Sequence, residues 1–143
     1  MANTPRILIA DDNVANRELL EAYLANIDCE VETAVDGKDT LEKVERFKPD
    51  LILLDVMMPK MNGFEVCRKL KSDPTSSKIM VLMVTALSEL GDIERAVAAG
   101  TDDFLSKPIN KIELNKRVAN MLRLKDTTDE VERLRQYIQA MED

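Results

Sequence analysis

Four short segments that read as buried strands, each delivering a reactive side chain at its end, constrain this chain most. They are Ile7 to Ala10, Leu51 to Leu54, Ile79 to Val84, and Asp103 to Ser106. The residues that follow them are Asp11-Asp12, Asp55, Thr85 and Lys107-Pro108. Parallel strands covered on both faces read as continuous apolar runs. Ligand sites in open α/β sheets form outside the carboxyl ends of such strands. One rim of one sheet would then gather three carboxylates, a hydroxyl and an amine, which suits a divalent cation and a phosphoryl group.

Between these segments the apolar spacing turns helical. Leu20, Tyr23, Leu24 and Ile27 mark a first helix, and Glu30 to Ala34 alternates as a further strand. Leu41, Val44 and Phe47 carry a helix that must stop at Lys48, before Pro49. Phe64, Cys67 and Leu70 mark the next, which ends near Ser72-Asp73-Pro74. Ser88 is placed to cap the helix of Ile93, Ala96 and Val97, and Gly100 to stop it. The last helix begins around Lys111. Five strands alternating with five helices predict a doubly wound α/β domain with right-handed crossovers.

Composition narrows the chemistry. The 143 residues, 45% hydrophobic, suffice for one domain with one ordinary core. A net charge of −7 argues against a nucleic-acid surface on this segment. No apolar run approaches the roughly 18 residues of a membrane span. The N-terminal stretch carries no hydrophobic signal region, so a cytoplasmic location is expected. Cys29 and Cys67 make no CxxC pair and are expected as free thiols. The chain has no histidine, which excludes His-ligated zinc and a Ser-His-Asp triad on this segment. Any metal must be held by oxygen, as Mg²⁺ or Mn²⁺ is.

Each strand-end residue has a blander explanation. Acidic pairs cap helices, a lone Asp forms turns, Thr favours strands, and lysines decorate surfaces. Their arrival at four separate strand ends favours a joint site. There Asp55 would act as nucleophile, with Asp11, Asp12, Asp55 and the backbone carbonyl of Met57 as metal ligands. Lys107 would neutralise one phosphoryl oxygen and the Thr85 hydroxyl would donate to another. A cis Lys107-Pro108 bond suits so tight a turn.

These motifs together resemble the receiver domain of two-component response regulators. The resemblance covers residues 6 to about 125. It rests on Asp11-Asp12, Asp55 in Leu-Leu-Asp-Val-Met-Met-Pro, Asn62-Gly63, Thr85-Ala86 and Lys107-Pro108. It implies a flavodoxin-like sheet of order 2-1-3-4-5, Asp55 as phosphoacceptor, and a histidine kinase or phosphotransfer protein as donor. It also implies a switch made by Thr85 and Phe104, signalling through the last helix-strand-helix face. Phe104 lacks the hydroxyl of the commoner tyrosine at that place. The stretch from Met57 to Lys71 is similar to receivers attached to cyclic-di-GMP enzymes. An aspartyl phosphatase of the haloacid-dehalogenase type would place its nucleophile after the first strand with an acid two residues on, where this chain has Asn13. A nucleotide-binding flavodoxin-like fold would need a Gly-rich phosphate loop after Ala10, and none is present.

Past Lys125 the composition changes. Leu124, Thr127, Val131, Leu134, Ile138 and Met141 follow a heptad seam with one polar member. Thr127 with Glu130 also fits a capping box, the mark of a separate helix. The continuous seam favours an extension of the last helix. The expected organisation is a receiver over residues 1–125 and an amphipathic helical linker or coiled-coil extension over 126–143, with a homodimer formed on phosphorylation.

Overall fold

The computed structural model describes residues 4–86 and 90–142. Strands and helices alternate throughout: β1 (Arg6–Ala10), α1 (Val14–Leu24), β2 (Glu30–Ala34), α2 (Gly37–Phe47), β3 (Leu51–Leu54), α3 (Gly63–Ser72), β4 (Met80–Thr85), α4 (Leu90–Ala99), β5 (Asp103–Ser106) and α5 (Lys111–Glu142). All pairings are parallel, and the sheet order is 2-1-3-4-5. The flavodoxin-like arrangement expected from the sequence is therefore present.

Strand residues alternate between faces, and the core divides accordingly. Leu8, Ile52, Leu54, Val81 and Met83 face the side covered by α2, α3 and α4. Ile7, Ile9, Leu53, Leu82 and Leu105 face the side covered by α1 and α5. β1 and β3 are adjacent but send their following helices to opposite faces, so the chain ends of these two strands open onto a crevice. This is the topological switch point, where doubly wound sheets bind ligands.

Side-chain caps fix where the helices begin. Asn13, Asp36, Asn62 and Asn110 each accept a hydrogen bond from the backbone N–H three residues on, at 2.7–3.1 Å. Such caps satisfy otherwise orphaned N–H groups and contribute about 1 kcal/mol each. α2 ends at Phe47, and its cap Lys48, at φ 53°, turns the chain out of the helix just before Pro49. The proposed cap at Ser88 lies outside the described residues. Three elements differ in their bounds from expectation. β1 starts one residue early, at Arg6. α1 ends at Leu24, and Ile27 instead packs against the core from the following turn, its N–H bonded to the Leu24 carbonyl. β4 runs one residue later than expected, from Met80 to Thr85.

The tail is continuous with α5, and no separate helix starts at Thr127. The 32-residue helix is about 48 Å long at 1.5 Å per residue. Leu114, Val118 and Met121 bury its first half against the sheet. Its second half stands clear, with Val131, Leu134, Ile138 and Met141 all exposed. Ion pairs of Lys125 with Asp50 and of Lys78 with Glu132 tie the emerging tail to the amino end of the sheet. Cys29 and Cys67 are both free thiols. Burial pushes the Cys67 thiol up to about 11, so it behaves as core filler. Among the described residues, no helix is long and apolar enough to cross a membrane.

Candidate functional site: an acidic cluster at the switch point

Asp11 and Asp55 each lie one residue past their strand but remain in its hydrogen-bond ladder. The Asp11 N–H donates to the Ala34 carbonyl at 3.1 Å, and the Asp55 N–H to the Ala10 carbonyl at 2.9 Å. Sheet geometry thus sets both backbones. Both carboxylates are buried, with 1% and 6% of each residue exposed, whereas Asp12 is open to solvent. One carboxylate oxygen from each of Asp11, Asp12 and Asp55 comes within 4.8 Å of the others.

Lys107 bridges the two buried acids. Its Nζ is 3.2 Å from Asp55 Oδ2 and 3.4 Å from Asp11 Oδ2. The remaining oxygens take backbone donors: Asp55 Oδ1 accepts from Met57 N–H at 3.1 Å, and Asp11 Oδ1 from Asn13 N–H at 2.9 Å. The Lys107-Pro108 bond is cis. Three carboxylates against one ammonium leave the cluster short of positive charge. Burial pushes the Asp55 carboxyl above its usual range, and the charge of Asp11 adds to this. The Met57 N–H and Lys107 oppose the shift without cancelling it.

A stability prediction follows from that sign. A carboxyl raised in the folded state binds its proton more tightly there than in the unfolded chain, so folding stability falls as pH rises from the ordinary carboxylate range through the raised value. Asp55→Asn removes the penalty. Without divalent metal at pH 7 it should melt higher than wild type, and the gap should close when both are melted at a pH low enough to protonate the acid. A lower melting temperature for Asp55→Asn at neutral pH would refute this electrostatic account.

The sequence reading placed Asp11, Asp12, Asp55 and Lys107 together, and the structure brings those four together. β4 ends on Thr85 at the same rim, but its side chain lies outside the described residues. The supporting roles of two residues went unread. Arg17 Nη1 donates to the Asp11 carbonyl at 2.7 Å, bracing the backbone of the buried acid from α1. Gly63 enters the sequence reading only as part of the Asn62-Gly63 motif, without a physical role, yet a Cβ there would lie 2.4 Å from the Asp55 carbonyl oxygen. The helix start can approach the acid's backbone only because that position is glycine. An arginine in a helix carries no local signal; Asn62-Gly63 after a loop could have suggested the close approach.

The oxygen-only donor set fits a hard divalent cation. Asp11, Asp12 and Asp55 offer carboxylates, and the chain has no histidine to favour zinc. Metal aside, the site offers a buried carboxylate with a lysine held against it, which can accept an electrophile and neutralise the anion that it carries.

Comparison with known proteins agrees with this architecture. Residues 7–119 match the model of the response regulator receiver domain. The chain is 50% identical over 126 residues to the response regulator PleD of Caulobacter vibrioides, covering 88% of this chain and 28% of PleD. It is 41% identical over 122 residues to the DNA-binding dual master transcriptional regulator RpaA of Synechocystis, covering 85% of this chain and 51% of RpaA. The chain thus spans about half or less of the length of these relatives. Among solved structures, a CheY-like response regulator receiver domain protein from Methanospirillum hungatei aligns with a TM-score of 0.82 at 28% identity, covering 88% of this chain and 99% of that one. The signal receiver domain of a LuxO repressor protein from Vibrio parahaemolyticus aligns at 0.83 with 30% identity, covering 91% and 98%. An acid cluster at the switch point, a lysine bridging it and a sheet of this order converge with these matches: the chain belongs to the response regulator receiver domain family.

Proposed function

We propose that Asp55 is the phosphoacceptor of a two-component switch and that this segment promotes its own phosphorylation. The observation that carries the proposal is Lys107 bridging Asp11 and Asp55 at the crevice between β1 and β3. A carboxylate oxygen of Asp55 attacks phosphorus, the bond from phosphorus to the donor breaks, and its electron pair leaves with the donor. With a histidine kinase or phosphotransfer protein as donor, that leaving group is the partner's imidazole nitrogen. Lys107 shifts its charge from the Asp55 carboxylate to a phosphoryl oxygen, and the hydroxyl of Thr85 donates to another. Mg²⁺, or Mn²⁺, held by Asp11, Asp12, Asp55 and the Met57 carbonyl would supply the remaining neutralisation.

The switch reading extends from the site to the face of α4, β5 and α5. Thr85 moving toward the phosphoryl group frees space for Phe104, which is half-buried and packed against the core beside α4. Residues 1–125 then form the receiver, and 126–143 a helical extension that joins a second copy on phosphorylation. A cytoplasmic location, and no direct nucleic-acid contact by this segment, complete the reading. It is a signalling switch; any output enzyme belongs to a longer regulator.

Incubating the chain with a small phosphoryl donor and a Mg²⁺ series, read by intact mass, tests the site. A stable single adduct that requires the metal is expected, whereas steady donor turnover without an adduct would favour a phosphatase. Asp12→Ala should fold normally yet need at least about tenfold more Mg²⁺, the lower end of what even an outer-shell change costs. An unchanged Mg²⁺ dependence would remove Asp12 from the ligand set.

A further inference from the structure

α2 begins on Gly37, which is buried and whose φ lies outside the left-handed region. Backbone conformation therefore does not demand glycine there, and alanine is the better helix former. What excludes a larger residue is the β3–α3 loop. A Cβ at Gly37 would lie 2.3 Å from the Met61 carbonyl oxygen and 2.6 Å from Met61 Cβ. The loop rests directly on the first turn of α2.

A second tie holds the same loop to the same turn. Asp36 caps α2 with Oδ1, accepting from Asp39 N–H at 2.7 Å, while its Oδ2 faces Lys60 Nζ at 3.4 Å. Lys60 sits at φ 69°, a left-handed conformation uncommon for any residue with a side chain. The loop is also closed at its base. Asp55 N–H is bonded to the Ala10 carbonyl, and Gly63 N–H joins the far end of the loop to the Val56 carbonyl at 2.9 Å. Any displacement where the loop meets α2 must be absorbed within residues 56–62. That stretch contains the Met57 N–H that holds Asp55 Oδ1.

We infer that the first turn of α2, through Gly37 and the Asp36–Lys60 ion pair, sets the position of the β3–α3 loop, making Gly37 and Lys60 positioning residues for phosphoryl transfer at Asp55. The inference rests on the reading of Asp55 as phosphoacceptor and deepens it. Neither residue touches the reacting atoms. They act through Met57, whose N–H orients the nucleophile and whose carbonyl is a proposed ligand. A purely structural role makes a different forecast, because glycine accepts φ 69° without strain.

The test compares wild type with Lys60→Gly, Lys60→Arg and Gly37→Ala. Mg²⁺ affinity is read from the metal-dependent rise in melting temperature, and the phosphorylation rate from intact mass with a small phosphoryl donor. Lys60→Gly should melt no lower than wild type without metal, yet bind Mg²⁺ about tenfold more weakly and accept the phosphoryl group more slowly. Lys60→Arg restores the ion pair and should recover most of both. Gly37→Ala should lose stability and Mg²⁺ affinity together. Wild-type Mg²⁺ affinity and rate in both Lys60→Gly and Gly37→Ala would overturn the inference. If wild type itself takes no phosphoryl group, the phosphoacceptor reading fails, and the Mg²⁺ arm alone decides whether α2 positions the loop.

Discussion

Phosphoryl transfer to this chain should stop when Asp55 becomes Asn, while the fold and the neighbouring acids remain. An amide of the same shape still accepts the Met57 N–H and still fills the space beneath Lys107, so the substitution isolates nucleophilicity. The lone pairs of a neutral amide oxygen are far weaker toward phosphorus than those of a carboxylate. Loss of a covalent nucleophile costs on the order of 10⁴-fold or more in rate, which places the variant below detection by intact mass. Asp11 and Asp12 are the nearest alternative acceptors. Asp11 is held by the same kinds of partner as Asp55 but is more deeply buried, at 1% exposed against 6%, which leaves a donor less access to it. Asp12 is exposed to solvent, so its carboxylate is not fixed in line for attack as the buried acids are. Adduct formation at the normal rate in Asp55→Asn, on whichever residue, would sink the assignment. Because the same variant should melt higher without metal, loss of phosphorylation cannot be blamed on unfolding.

What the sequence made legible here has a physical cause. β1 and β3 are buried on both faces, so selection for burial writes them as uninterrupted apolar runs, and the first polar residue after each marks the carboxyl rim. Asp11, Asp55 and Lys107 were readable because a parallel sheet brings those rims together whatever the loops do. Gly37, Lys60 and Arg17 were not, because their roles depend on contacts across the fold. Gly37 matters only because Met61 lies against it, and an isolated Asp36-Gly37 reads as a turn. Lys60 gives no hint of its left-handed φ, since nothing local demands it. Ile27 misled in the opposite direction: its spacing matched a helix, but tertiary burial in a turn served the same apolar side chain. The tail was ambiguous between a capping box at Thr127 and a continuous seam from Leu124. Continuity won because the final turns of the folded half already supply a helix to propagate from, and nucleation is the costly step.

A beryllofluoride phosphoryl mimic should shift residues 1–143 from monomer toward dimer, by about 10²-fold or more in association constant, and residues 1–125 by much less. The tail presents Val131, Leu134, Ile138 and Met141 to solvent on one heptad seam, an apolar stripe with nothing covering it among the described residues. So short a seam pairs weakly alone, since a stable coiled coil needs three or four heptads. The receiver contributes a second surface. Ile93 and Val97 are exposed one turn apart on α4, and Arg117 pairs with Asp103 across α5 and β5 at 2.8 Å. If phosphorylation reshapes that face through Phe104 and lets two receivers meet, the tails become neighbours at high effective concentration. Their seam then adds free energy that neither surface supplies alone. The Lys78–Glu132 and Lys125–Asp50 pairs help here, because a tail held in a fixed direction loses less freedom on pairing. Solved receiver domains that this chain covers almost end to end indicate that residues 1–125 should fold without the tail. Sedimentation of both lengths, with and without the mimic, separates the contributions. A full segment that stays monomeric with the mimic removes the dimer model, and equal dimerisation of residues 1–125 reduces the tail to a linker.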